Sequence, residues 1–118
     1  MMPREFARHQ RLGTQILRTL SELLRFETKD PRLQDVSLTH VDLTRDLSVA
    51  RVYFSLLNPD ADPGPALAGL EKASGFLRGK LGGAITVRHV PELRWLHDDS
   101  AEQSIRISEL IDGTQRDR

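Results

Sequence analysis

Apolar positions recur with two different periods along this chain, and the switches between them mark its elements. Between Arg4 and Glu27, Ile16, Leu20, Leu23 and Leu24 gather on one side of a wheel turning ~100° per residue, with Leu12 and Leu17 at the edges. The pattern predicts one long amphipathic helix. Asp30-Pro31 closes it, because the residue before a proline is pushed out of the helical region. Two extended runs follow, Val36 to Thr44 and Leu47 to Leu57, with Arg45-Asp46 as a tight reversal, and these read as a hairpin. In the second run Ala50, Val52, Phe54 and Leu56 alternate with Val49, Arg51, Tyr53 and Ser55, so one face is buried and the other mixed. In the first run the apolar phase slips between Leu38 and Val41, which predicts a bulge near His40.

Asn58 to Pro65 holds three prolines and reads as a surface loop. Helical spacing then resumes through Leu67, Leu70, Leu77 and Leu81, but Gly69, Gly75, Gly79, Gly82 and Gly83 interrupt it. Each interior glycine costs about 1 kcal/mol relative to alanine, so two short helices joined by a kink at Ala73-Ser74-Gly75 are expected. The chain then turns extended through Ile85 and Val87, stops at Pro91, and continues as a third strand, Leu93 to His97. Ser100 with Gln103 resembles a capping box opening a last helix, with Ile107, Leu110 and Ile111 on its apolar stripe and Gly113 as its stop. The expected organisation is one α+β domain over 1–98, a helical extension over 99–113 and a frayed tail over 114–118.

Composition bounds this picture. A chain of 118 residues, 38% of them apolar, can build one modest core. No window approaches the ~18 apolar residues of a membrane span, and Met1 to Glu5 lacks the apolar stretch of a signal peptide. Zero cysteine excludes a disulfide scaffold, a thiolate metal site and a cysteine nucleophile. The expectation is a cytoplasmic, monomeric domain with no membrane partner.

Charge sums to zero, with seventeen basic and seventeen acidic side chains, yet it is unevenly laid out. Residues 1–26 carry a net of +3 and residues 72–94 a net of +4, against −4 over 27–71 and −3 over 95–118. Such separation can build a basic and an acidic face on one small domain. Arg4, Arg8, Arg11, Arg18 and Arg25 fall on the side of the first helix opposite its leucines. A solvated helix face is the bland explanation. Cations near a helix N-terminus oppose its dipole, however, so stability does not account for the first three.

Catalytic patterns are missing. His97-Asp98-Asp99 could suggest a metal or acid/base cluster, but neighbours on a strand point to opposite sides, and His9, His40 and His89 are scattered. No P-loop, G-x-S-x-G or H-E-x-x-H occurs. The expectation is therefore no enzyme, no metal and no cofactor. Gly79-Lys80-Leu81-Gly82 matches the G-x-x-G loop with which KH domains clamp a nucleic-acid backbone. It sits inside a helical period, where glycines that permit close packing explain it better. Ser74-Gly75, flanked by Lys72 and Arg78, is the better place for a phosphate to approach, if a kink frees amide groups there.

Five phrases together are more specific. Pro3-Arg4-Glu5-Phe6, Lys29-Asp30-Pro31-Arg32-Leu33, Arg45 to Tyr53, Ala73-Ser74-Gly75-Phe76-Leu77-Arg78 and Val90-Pro91-Glu92-Leu93-Arg94-Trp95 resemble, in that order and spacing, the ribosome-binding factor A family. The resemblance covers residues 3–112. It implies a single KH-like (type II) domain, α-β-β-α-kink-α-β with a three-stranded sheet plus a short C-terminal helix, whose Ala-x-Gly kink at Ala73, Ser74 and Gly75 replaces the G-x-x-G loop. It also implies a non-catalytic assembly factor that binds the free 30S subunit. Such a factor assists late maturation of 16S rRNA, including processing of its 5′ end, matters most in the cold, and has a releasing GTPase as a further partner. The rRNA-binding set expected on this basis is Arg4, Arg8, Arg11, Arg18, Lys72, Ser74, Gly75, Arg78, Lys80 and Arg88, forming one continuous cationic surface with the acidic C-terminal segment kept away. Where relatives carry a basic run after the kink, Gly82 to Thr86 contributes no charge here, which shifts weight onto Arg4, Arg8 and Arg11. A protein-docking module that reaches the subunit through ribosomal proteins or another factor is the alternative reading.

Overall fold

The structure, a computed structural model, describes residues 4–98, with side chains from Ala7 onward. The elements are α1 (Arg4–Glu27), a short 3-10 turn (Pro31–Leu33), β1 (Val36–Leu43), β2 (Val49–Leu56), α2 (Gly64–Ala84) and β3 (Glu92–His97). The expected C-terminal helix over 99–113 and the tail over 114–118 lie outside the described residues. The expected α+β class and three-stranded sheet are present.

Sheet order is β1-β2-β3, with β1 antiparallel and β3 parallel to β2. Val41, Val52 and Trp95 lie side by side across it, as do Asp42, Arg51 and Arg94 on the other face. The inward row is buried and the outward row exposed, so both helices cover one face and leave the other to solvent. The expected bulge is where the pattern put it. Leu38 opposes Phe54 and Val41 opposes Val52, so that Thr39 and His40 on β1 stand against Tyr53 alone on β2, and the register shifts between Leu38 and His40. The extra residue keeps both apolar side chains on the helix side.

The first helix behaves as its wheel dictates. Ile16, Leu20, Leu23 and Leu24 are buried, and Leu12 and Leu17 pack at the margin of the core. In the hairpin turn the Asp46 carboxylate accepts hydrogen bonds from the Ser48 hydroxyl (2.7 Å), the Thr44 hydroxyl (2.9 Å) and the Ser48 amide (3.1 Å). The Ser48 hydroxyl, foremost among these donors, helps hold Asp46 below the usual carboxylate range. They fix a turn in which Leu47 takes a left-handed φ of 63°.

The second helix requires a correction. The expected pair of short helices is a single helix that runs unbroken through Ala73, Ser74 and Gly75. The energetics decide it. Leu70, Leu77 and Leu81 are fully buried on its inner line, and each such leucine contributes about 1.5–3 kcal/mol, more than the ~1 kcal/mol cost of a glycine. Two of the glycines are also required by what lies against them. A Cβ on Gly82 would meet the Val90 Cγ2 at 2.9 Å, and one on Gly69 would meet Leu33 Cδ2 at 3.1 Å and Asp30 Oδ2 at 3.3 Å. Gly69 thereby lets the Asp30-Pro31-Arg32-Leu33 turn dock on α2. Within that turn Asp30 accepts from the Arg32 amide (2.9 Å) and is gripped by the Arg32 guanidinium at 2.7 Å.

Two predictions follow from these contacts. Gly82→Ala should destabilise by about 1 kcal/mol through overpacking against Val90. Gly79→Ala, where an added Cβ meets nothing within 4 Å, should stabilise by about 0.5–1 kcal/mol; urea melts of the two variants read the opposite signs. The Arg32 guanidinium bonds, chiefly, lower the Asp30 carboxyl from 3.8 to about 2. A carboxylate depressed in the folded state contributes stability above its unfolded value and loses it as pH falls through the folded one. The melting-temperature gap between wild type and Asp30→Asn should therefore be full above pH 3.8 and close as pH approaches 2.

Candidate nucleic-acid interface

Arg8, Arg11, Arg18 and Arg25 are all exposed on the outer side of α1, as the wheel requires. The side chain of Arg4 lies outside the described residues. Among the described residues, Arg8, Arg11, Arg18, Lys72 and Arg88 have no ion-pair partner. Their charges are thus unspent by the fold.

The fold sorts these cations onto separate surfaces. Arg8 and Arg11 from α1 meet Arg88 from the segment before β3 along an open groove of about 790 Å³. Its walls also include His9, Gln15, His89 and the hairpin-turn residue Asp46, over an apolar floor of Leu12, Leu47 and Val87. His9 Nε2 donates to the Arg45 carbonyl at 3.0 Å, tying the hairpin turn to the N-terminal half of α1. Arg11 also borders a second groove of about 890 Å³, where Arg18 lies with His40 and Val41. Arg11 and Gln15 thus line both grooves.

Lys72 and Lys80 belong elsewhere, on the exposed side of α2. Lys80 Nζ lies 3.5 Å from Glu27 Oε1 and 5.7 Å from the centroid of the Phe76 ring. Lys72 is close enough to Asp30 to help lower that carboxyl.

Three expected contact residues also have a part in the fold. Arg78 donates from Nε to the Pro91 carbonyl (3.1 Å) and from its terminal nitrogen to the Val90 carbonyl (2.9 Å). Its guanidinium thus staples α2 to the segment that enters β3. The Ser74 hydroxyl donates to the Leu70 carbonyl (3.0 Å) and accepts from Trp95 Nε1 (2.7 Å), which places it between helix and sheet. The Gly75 amide belongs to the helix ladder, because α2 is continuous there, so it is no free donor for a phosphate. The backbone at Gly75 is open all the same, since a Cβ added to it would meet nothing within 4 Å.

His9, Gln15 and His89 in the first groove were missed by the sequence reading, as was the exposure of Phe76. A signal existed for two of them: His9 shares a helical turn with Arg8 and Arg11, and His89 follows Arg88. Nothing local indicated that residues 86–91 return to α1. Among the described residues no group of three or more His, Cys, Asp or Glu side chains comes together as a metal site would require. No helix among them is long and apolar enough to cross a membrane.

Comparison with known proteins gives a consistent result. The family model described as Ribosome-binding factor A matches residues 8–111. Ribosome-binding factor A of Aromatoleum aromaticum is 43% identical over 116 residues, 98% of this chain and 91% of that one. The protein of the same name from Thioalkalivibrio sulfidiphilus is 45% identical over 111 residues, 94% of this chain and 86% of that one. Among solved structures, the crystal structure of ribosome-binding factor A from Thermus thermophilus aligns with a TM-score of 0.70 at 29% identity, covering 75% of this chain and 93% of that one. A homology model of the Thermus thermophilus ribosome binding factor A, fitted into a cryo-electron-microscopy map of a 30S complex, aligns with a TM-score of 0.62 at 30% identity. It covers 75% of this chain and 92% of that one.

The Ser74–Trp95 bond generates a stability prediction. Ser74→Ala leaves the indole N–H of a 7%-exposed tryptophan without its partner, at a cost of about 1–3 kcal/mol. Trp95→Phe made on top of Ser74→Ala should cost less than Trp95→Phe in wild type, and a double-mutant cycle by chemical denaturation reads that coupling.

Proposed function

This chain belongs to the ribosome-binding factor A family, and from that premise we propose that it binds the ribosome through the free small subunit, engaging phosphates of 16S rRNA. The named relatives support ribosome binding, and the Thermus thermophilus complex supports the small subunit as its site. The observation that carries the phosphate reading is the groove where Arg8, Arg11 and Arg88 converge from distant parts of the sequence. These guanidinium groups have no ion pair to break before they meet a phosphate, and their planar forks suit bidentate contact. Asp46 is the opposing charge in the groove, and the bonds from Ser48 and Thr44 occupy its carboxylate.

The proposed action is non-catalytic. Phosphate contacts position the domain, and occupancy holds an immature rRNA conformation and blocks large-subunit joining until release, for which a GTPase is the expected agent. Assistance in late 30S maturation, including 16S 5′-end processing, and a role in the cold belong to the same proposal, as does a monomeric, cytoplasmic protein.

Sucrose-gradient sedimentation with separated small subunits, large subunits and joined ribosomes, at low and moderate salt, tests this. The expected result is migration with small subunits alone, lost steeply as salt rises. Each phosphate neutralised adds about −0.7 to −0.9 to the log–log salt slope, so an Arg8→Gln, Arg11→Gln, Arg88→Gln triple variant should flatten it by about 2–3 without changing the melting temperature. Equal binding to every particle would reduce the claim to general RNA affinity. Binding that ignores salt would replace it with docking through ribosomal proteins.

A further inference from the structure

We propose that Phe76 is a base-stacking residue: an unpaired nucleobase lies on its ring while the flanking phosphates meet Lys72 and Lys80. This rests on the RNA-binding reading above and assigns it a second contact, on α2, for single-stranded RNA.

Phe76 is 45% exposed, although the next residue, Leu77, is fully buried. Position 76 thus lies outside the buried core and keeps nearly half of an apolar ring in water. Lys72 stands one turn before it and Lys80 one turn after it on the same line of the helix, each about 6 Å along the axis. On the adjoining line, side chains added at Gly75 and Gly79 would meet nothing within 4 Å, so no neighbour stands over the bare backbone beside the ring. The result is a half-exposed aromatic ring with a cation one turn to either side.

The ring already holds a cation in this position. Lys80 Nζ sits 5.7 Å from its centroid, and the other exposed phenylalanine among the described residues, Phe26 at the end of α1, likewise has the Arg25 guanidinium over it at 5.4 Å. Acids around the site are accounted for. Asp30 is gripped by Arg32, Glu27 pairs with Lys80 in an exposed bridge of little worth, and Glu71 is exposed beside Lys72. A phosphate competes with Glu27 for Lys80 at small cost.

This chemistry suits a nucleobase better than a protein. One ring bounded by charges and bare glycine backbone is too small an apolar patch for stable protein docking, which needs several hundred Å². A base needs only one ring face, and stacking on an aromatic side chain is tolerant of sequence.

The test uses the full chain, a fluorescein-labelled single-stranded oligoribonucleotide of mixed sequence read by anisotropy, and small-subunit sedimentation. Phe76→Ala and Phe76→Leu should weaken both binding events about tenfold with an unchanged salt slope, and Phe76→Tyr should bind as wild type. Lys72→Gln with Lys80→Gln should flatten the oligonucleotide salt slope by about 1.4. Melting curves of the Phe76 variants confirm that each is folded, and Phe76→Tyr supplies a folded reference. Wild-type oligonucleotide and subunit binding by Phe76→Ala would overturn the stacking role and leave the subunit-binding proposal standing. Loss of subunit binding alone, with oligonucleotide binding intact, would overturn it in favour of a protein contact. Failure of the wild-type chain to sediment with small subunits would overturn the underlying reading instead.

Discussion

The parallel pairing of β3 with β2 is the constraint on which this structure depends. Two parallel neighbours cannot be joined by a tight turn, so the chain must travel back along the sheet, and α2 is the element that makes the crossing. A helix that spans a sheet must also be held at a fixed height and angle. Three hydrogen bonds do this, one from the Trp95 indole to the Ser74 hydroxyl and two from the Arg78 guanidinium to the Val90 and Pro91 carbonyls. They join the middle of α2 to β3 and to the residues that enter it.

The arginine groove lies beside this tie. Arg88 is far from Arg8 and Arg11 in sequence, and it meets them on the segment between α2 and β3, whose end Arg78 holds to α2. Arg78, itself exposed and without an ion pair among the described residues, holds the end of that segment through two backbone carbonyls. Ser74 plays a similar part, since its hydroxyl is spent on the helix backbone and the tryptophan.

Electrostatically, the net charge of zero conceals a division of labour. Arginines without ion-pair partners among the described residues line grooves beside α1, whereas Arg32, Arg51, Lys80 and Arg94 are partnered by Asp30, Asp42, Glu27 and Glu92. Exposed pairs of this kind add little stability, but they remove cations from the surface field. Of the unpaired cations among the described residues, Arg8, Arg11 and Arg88 come together where α1 faces the hairpin turn and the approach to β3.

Local pattern determined most of the elements. The leucine phase of α1, the alternation of β2 and the slipped phase of β1 each follow from burying one side of a regular backbone, and each is where the sequence reading placed it. The cations were legible by type and by helix face for the same reason. Tertiary structure alone decided the rest. Local glycine propensity argued for a break in α2, but the buried leucine line that outweighs it exists only against the sheet. Whether a polar residue faces solvent or the fold depends on partners distant in sequence, so Ser74 and Arg78 could not be told from Lys72 by pattern. The meeting of Arg88 with Arg8 and Arg11 likewise has no local cause, because it joins the start of α1 to the segment between α2 and β3.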